Sequence, residues 1–189
     1  MNTWGREHYG DPCRGCGFRW SVTALQAKEE VVAVPGDAFE SIRVSRATGR
    51  EKYDAESWTV AGYLAHVADN LRIWAERIAG VAAGEDPEVS PYDQDLLAKV
   101  RDYERISLNA AMWTLRRAVV EWAESVDAAV LVDADEIAGE GLLGESDLPG
   151  AGGFRLVHPQ MGELSLTDAI RLNAHDARHH LWDIQRSLS

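Results

Sequence analysis

Residues 59–84, "TVAGYLAHVADNLRIWAERIAGVAAG", decide the fold. Thr59 is a good N-cap, because its hydroxyl can accept from one of the free backbone N–H groups at the start of a helix. Val60, Leu64, Val67, Leu71, Trp74 and Ile78 then recur every three or four residues, which lines one helix face with apolar side chains. Gly80 and Gly84 mark the end, and Pro87 and Pro91 follow. The spacing predicts one long amphipathic helix with a histidine, His66, in its middle.

Working outward, "SVTALQAKEEVVAV" (21–34) has candidate caps at Ser21 and Thr23. It predicts a helix that stops at Pro35-Gly36, a strong breaker pair. "DAFESIRV" (37–44) reads as a second, short helical run. Residues 93–127 predict a third helical region, with Leu108, Met112, Leu115, Val119 and Trp122 as its apolar stripe. Residues 128–165 hold seven glycines and two prolines and read as a long loop. Within it "FRLVHPQMGELSL" alternates enough to predict a short hairpin turning near Met161-Gly162. A last helix is expected from an N-cap at Thr167 to the chain end, with Asp168 suited to the helix N-terminus. Its inward positions are Ile170, Ala174, Leu181 and Ile184. Several amphipathic helices joined by loops, without a solenoid repeat, predict an all-α helix bundle over residues 21–189. Residues 1–20, rich in Gly, Pro, Arg and aromatics, read as an irregular N-terminal segment.

The chain has 189 residues, 46% apolar and 26% charged, ordinary values for a soluble single domain. A net charge of −12 argues against nucleic acid and anionic membrane surfaces as partners. No apolar run approaches the roughly 18 residues of a membrane span. The start, "MNTWGREHYGDPC", lacks the pattern of a signal peptide. The expectation is a cytoplasmic protein with reduced cysteines and a small-molecule substrate. Exposed helix faces and seven tryptophans leave a homodimer open.

Three of the six histidines fall in "NAHDARHHLWDI" (173–184). His175 and His179 are four residues apart, so they share a helix face about 6 Å apart along the axis. His180 is turned by about 100° from His179 and is expected to pack or hydrogen-bond rather than bind metal. His66 is the histidine at comparable depth and the candidate third ligand. Three imidazoles leave coordination positions for water or substrate, as catalytic sites do. All-nitrogen ligation suits Zn, Ni, Fe or Co. Asp183, one turn after His179, could accept that residue's free ring N–H. Asp69 and Asn70 lie a turn beyond His66, and Arg178 could border a pocket mouth and favour an anion. Near the N-terminus, Cys13-x-x-Cys16 precedes Gly17. It reads as a redox dithiol, as half of a second zinc site completed by His8 or a carboxylate, or as two structural thiols. The motif neither follows a predicted strand nor opens a predicted helix, which disfavours thioredoxin-type chemistry.

"WTVAGYLAHVAD" (58–69), followed about a hundred residues later by "LTDAIRLNAHDARHHLWDI" (166–184), resembles the DinB/YfiT-like superfamily. The resemblance covers roughly residues 21–189. It implies a four-helix bundle holding one divalent metal on a His triad, which maps onto His66, His175 and His179. It also implies an enzyme, since such proteins include S-transferases using bacillithiol or mycothiol and a thiol-dependent maleylpyruvate isomerase. On this reading the metal presents a thiol to a small electrophile, no protein base is assigned, and the 128–165 loop covers the pocket. The alternatives are a metal-dependent hydrolase, for which Asp69 and Asp176 are weak candidate bases, and a non-catalytic metal- or small-molecule-binding bundle.

Overall fold

The computed structural model describes residues 5–140 and 154–189, with the backbone course only for 132–140. In order the elements are α1 (Arg6–Tyr9), α2 (Ala24–Ser45), α3 (Val60–Ala82), α4 (Gln94–Val100), α5 (Leu108–Glu140), β1 (Arg155–His158), β2 (Gly162–Ser165) and α6 (Leu166–Ser187). Helices α2, α6, α3 and α5 form a four-helix bundle; α3 packs most extensively on α5, α2 on α6, and α6 also on α3.

Helix α3 forms where the periodicity places it. The Thr59 hydroxyl accepts from the Gly62 N–H at 3.0 Å, and the whole stripe from Val60 to Ile78 is buried. Trp122 of α5 is fully buried. Its indole N–H donates to Asn173 Oδ1 at 2.7 Å, tying α5 to α6 and satisfying a polar atom of each in the core.

Helix α2 does not stop at Pro35-Gly36. An interior proline costs about 3 kcal/mol. Ala27, Val31, Val34, Pro35, Ala38 and Ile42 are all buried along one stripe, and each fully buried Val or Ile contributes roughly 1.5–3 kcal/mol. The shared face outweighs the breaker. The 93–127 region is instead two helices. Between α4 and α5, Asp102 adopts a left-handed φ of 50°, and Tyr103 plugs into α3 by donating to Asp69 Oδ2 at 2.6 Å. Helix α5 also runs on through residues 128–140, where a loop is expected; four of these residues are alanine, the best helix former. Residues 141–153, the middle of the expected loop, lie outside the described residues.

The hairpin forms as its alternation predicts, antiparallel with His158 opposite Gly162. It leads straight into α6, whose N-cap is Ser165 rather than Thr167. Ser165 Oγ accepts from the Asp168 N–H at 3.1 Å, and Asp168 Oδ2 accepts from the Ser165 N–H at 3.2 Å. That reciprocal pair is a capping box, which Thr167 cannot make. Among the described residues no helix is long and apolar enough to cross a membrane.

Candidate metal centres

Helix α6 carries two i,i+4 pairs offset by one residue, His175/His179 and Asp176/His180. One residue of offset rotates the second pair by about 100°, so the pairs meet different neighbours.

Asp176 and His180 turn toward α3, where His66 is buried to 1% exposure. One donor atom from each of the three lies within 4.8 Å of the others. Asp176 Oδ1 is 3.9 Å from His66 Nε2 and 3.6 Å from His180 Nε2. These separations are too long for hydrogen bonds, but two donors sharing one ion stand roughly 3–4 Å apart. His66 Nε2 is buried without a hydrogen-bond partner. The surroundings aim the other two residues. Asp183 Oδ2 lies 3.0 Å from His180 Nδ1, which leaves His180 Nε2 pointing at the cluster. Asn70 donates to Asp176 Oδ2 at 2.8 Å, and Tyr92 donates to Asn70 Oδ1 at 2.8 Å. One carboxylate oxygen of Asp176 is therefore held while the other faces both imidazoles. Burial pushes His66 down toward the neutral form. Burial also opposes charging of His180, but Asp176 and Asp183 outweigh it and push its pKa up to about 9. Desolvation would raise Asp176; the facing His180 and His66 instead hold it far below the usual carboxylate range.

His175 and His179 turn the other way, against the N-terminal segment. There Cys13, Cys16, His175 and His179 each place a donor atom within 4.8 Å of the rest. Cys13 Sγ is 3.6 Å from His179 Nδ1, and both cysteines are free. Burial, reinforced by His179, lowers the His175 pKa to about 4. Burial raises the Cys16 thiol to about 12.

Between the two clusters opens a cavity of about 130 Å³, bordered by Asp176 and His180 on one side and His175 and His179 on the other. Asn70, Arg77, Tyr92 and His158 also line it. Arg77 Nη2 donates to the Ser90 carbonyl at 2.5 Å, whereas Nη1 is buried without a partner. The guanidinium carbon stands 5.1 Å from the Trp74 ring centre and 5.8 Å from that of Tyr92. Burial, and then the charge of Arg77, lower the His158 pKa to about 4, so His158 is a neutral imidazole at pH 7.

The DinB superfamily pattern matches residues 37–184. The chain belongs to the DinB superfamily. The match takes in His66 and all of the α6 residues above but not Cys13 or Cys16. Among solved structures the chain is similar to YfiT from Bacillus subtilis, described as a probable metal-dependent hydrolase with an unusual four-helix bundle topology. The two are 17% identical, with a TM-score of 0.63 over 87% of this chain and 85% of that one, a likeness of fold. No curated protein sequence matches the chain.

In this DinB protein His66 does not join His175 and His179. Helix α3 meets α6 on the Asp176/His180 side, and the N-terminal segment covers the other pair. His180, expected to point away, is thus part of the His66 cluster. Asp176, weighed only as a base, faces both of its imidazoles. The overlapping second i,i+4 pair was the available signal. Asp183 supports His180 rather than His179, and Asn70 acts through Asp176. Asp69 sits outside the cluster, accepting from Tyr103 and pairing with Arg101 at 2.9 Å. Arg178 is drawn to α2, pairing with Glu30 at 3.5 Å and Asp37 at 3.2 Å, so it does not border the cavity. His8 is exposed and not part of the cysteine cluster; the two α6 histidines stand where it was expected.

Proposed function

We propose that this DinB protein is a divalent-metal-dependent enzyme, with the metal held by His66, Asp176 and His180, and that it transfers a low-molecular-weight thiol such as mycothiol or bacillithiol to a small, negatively charged electrophile. The observation that carries the reading is the buried His66 Nε2, which has no hydrogen-bond partner and lies 3.9 Å from a carboxylate oxygen that also faces His180. Two imidazole nitrogens and one carboxylate oxygen suit Zn, Ni, Fe or Co. When bound, such a metal supplies Lewis acidity, lowering the pKa of a thiol or water beside it.

The chain's own residues do the rest. Asp183 fixes the His180 ring, and Asn70, steadied by Tyr92, fixes Asp176. Outer contacts of this kind set ligand orientation and basicity. The free Nη1 of Arg77 offers a charged donor to an anionic substrate. Among the described residues lining the cavity, Asp176 is the one carboxylate, and this role occupies it. Activating water calls for a positioned base. A thiol, with a free pKa of about 8.5, needs much less help. That difference favours thiol transfer.

Hydrolysis is the second reading. It is supported by His158, a neutral imidazole on the pocket wall, and by the likeness to YfiT. The test compares mycothiol, bacillithiol and water as nucleophiles toward one small anionic electrophile, using metal-loaded protein. Thiol-dependent turnover is the expected result. Turnover in water alone would favour hydrolysis, and no acceleration with any of the three would leave a non-catalytic bundle.

A further inference from the structure

The cysteine–histidine cluster is separate from the proposed catalytic metal, and its chemistry is different. Cys13 and Cys16 come from the N-terminal segment, and His175 and His179 from α6, more than a hundred and fifty residues later. All four donor atoms nevertheless lie within 4.8 Å of one another. With Zn–S about 2.3 Å and Zn–N about 2.0–2.1 Å at tetrahedral angles, a sulfur and a nitrogen ligand stand about 3.6 Å apart. Cys13 Sγ and His179 Nδ1 are 3.6 Å apart.

The backbone is shaped for the same purpose. The Cys-x-x-Cys turn closes on itself through Gly17 N–H to the Cys13 carbonyl at 3.0 Å. Gly17 takes a left-handed φ of 75° there, which glycine adopts without strain. A Cβ on Gly15 would come 2.8 Å from His179 Cε1, so the absence of a side chain is what lets the turn approach the helix. His175 is 4% exposed, and its Nε2 has no hydrogen-bond partner. The rings of Tyr9 and Trp20 each lie 4.6 Å from its own. The cluster is thus enclosed on that side by aromatic rings.

We infer that Cys13, Cys16, His175 and His179 bind a structural zinc ion that fastens the N-terminal segment onto α6. Two thiolates and two imidazoles complete a closed tetrahedral site, the ligand set that selects zinc. On binding, each cysteine gives up its thiol proton to solvent, and two thiolates neutralise the dication, which suits a largely buried position. Among its described residues the segment has one turn of helix, α1, so metal binding adds folding free energy to the packing of Phe18 and Trp20. Because Gly5 and Tyr9 line the cavity, the ion also fixes one wall of the pocket.

The test is metal content and cobalt spectroscopy on the full chain purified under reducing conditions. Wild-type protein loaded with zinc is expected to hold two ions per chain, and the Cys13→Ser/Cys16→Ser variant one. Cobalt-loaded wild type should show the near-ultraviolet thiolate-to-cobalt band, and the variant should lack it. Should the double variant fail to fold, thiol titration of the wild type answers instead: two thiols unreactive until a strong chelator is added. Thiols that react freely in loaded protein, a Cys13–Cys16 disulfide, or no thiolate band would each overturn the zinc site. Asp176→Asn separates this inference from the proposed catalytic centre, since it should remove the other ion and leave the thiolate band intact.

Discussion

The two faces of α6 make the central comparison. Both carry donors four residues apart, yet the face toward α3 gathers two imidazoles and a carboxylate beside a cavity. The face toward the N-terminal segment gathers two imidazoles and two thiols against aromatic rings. Three hard or borderline donors beside open space suit chemistry, and four donors including two sulfurs suit a staple. The helix supplies the same spacing to both, so the difference arises from what packs on each face and from Asp176 standing where the other pair has an imidazole.

Substitutions that touch one face should leave the other alone. The largest effect is expected from Asp176→Asn, which keeps the shape but removes the charge between His66 and His180. Turnover and metal at that centre should fall by more than the roughly 100-fold that loss of an outer support can cost; metal analysis and rate measurement on the purified variant check this. Asp183→Asn removes a support and no ligand. Chelator competition should show metal affinity at the same centre weakened about 10–100-fold, with the thiolate–cobalt band unchanged. Gly15→Ala should act on the other face. Its Cβ would meet the His179 ring at 2.8 Å, and overpacking of this kind costs about 1–3 kcal/mol. Urea denaturation of the zinc-loaded variant should show that loss, with Asp176-centred metal retained; an unchanged midpoint would contradict the close packing of turn on helix.

Much of the bundle is legible in the residues. Thr59 and the stripe from Val60 to Ile78 specify α3 because cap and period agree. The alternation around Met161-Gly162 specifies the hairpin. Pro35-Gly36 misleads because a local breaker is weighed without the buried face that spans it. Thr167 misleads because the cap is chosen by a reciprocal bond, and only Ser165 stands three residues before Asp168. The site is half legible. The histidines on α3 and α6 are visible, and so is the metal-like Cys-x-x-Cys turn, but the pairing between them is not.

The sequence by itself determined the donors, their helical spacing and the amphipathic faces that bring the bundle together, since these follow from covalent order and the 3.6-residue period. Only the tertiary structure decided that His66 faces Asp176 and His180 while Cys13 and Cys16 face His175 and His179. That choice depends on which segment packs against each side of α6. A rotation of about 100° per residue turns a one-position offset into a different neighbour.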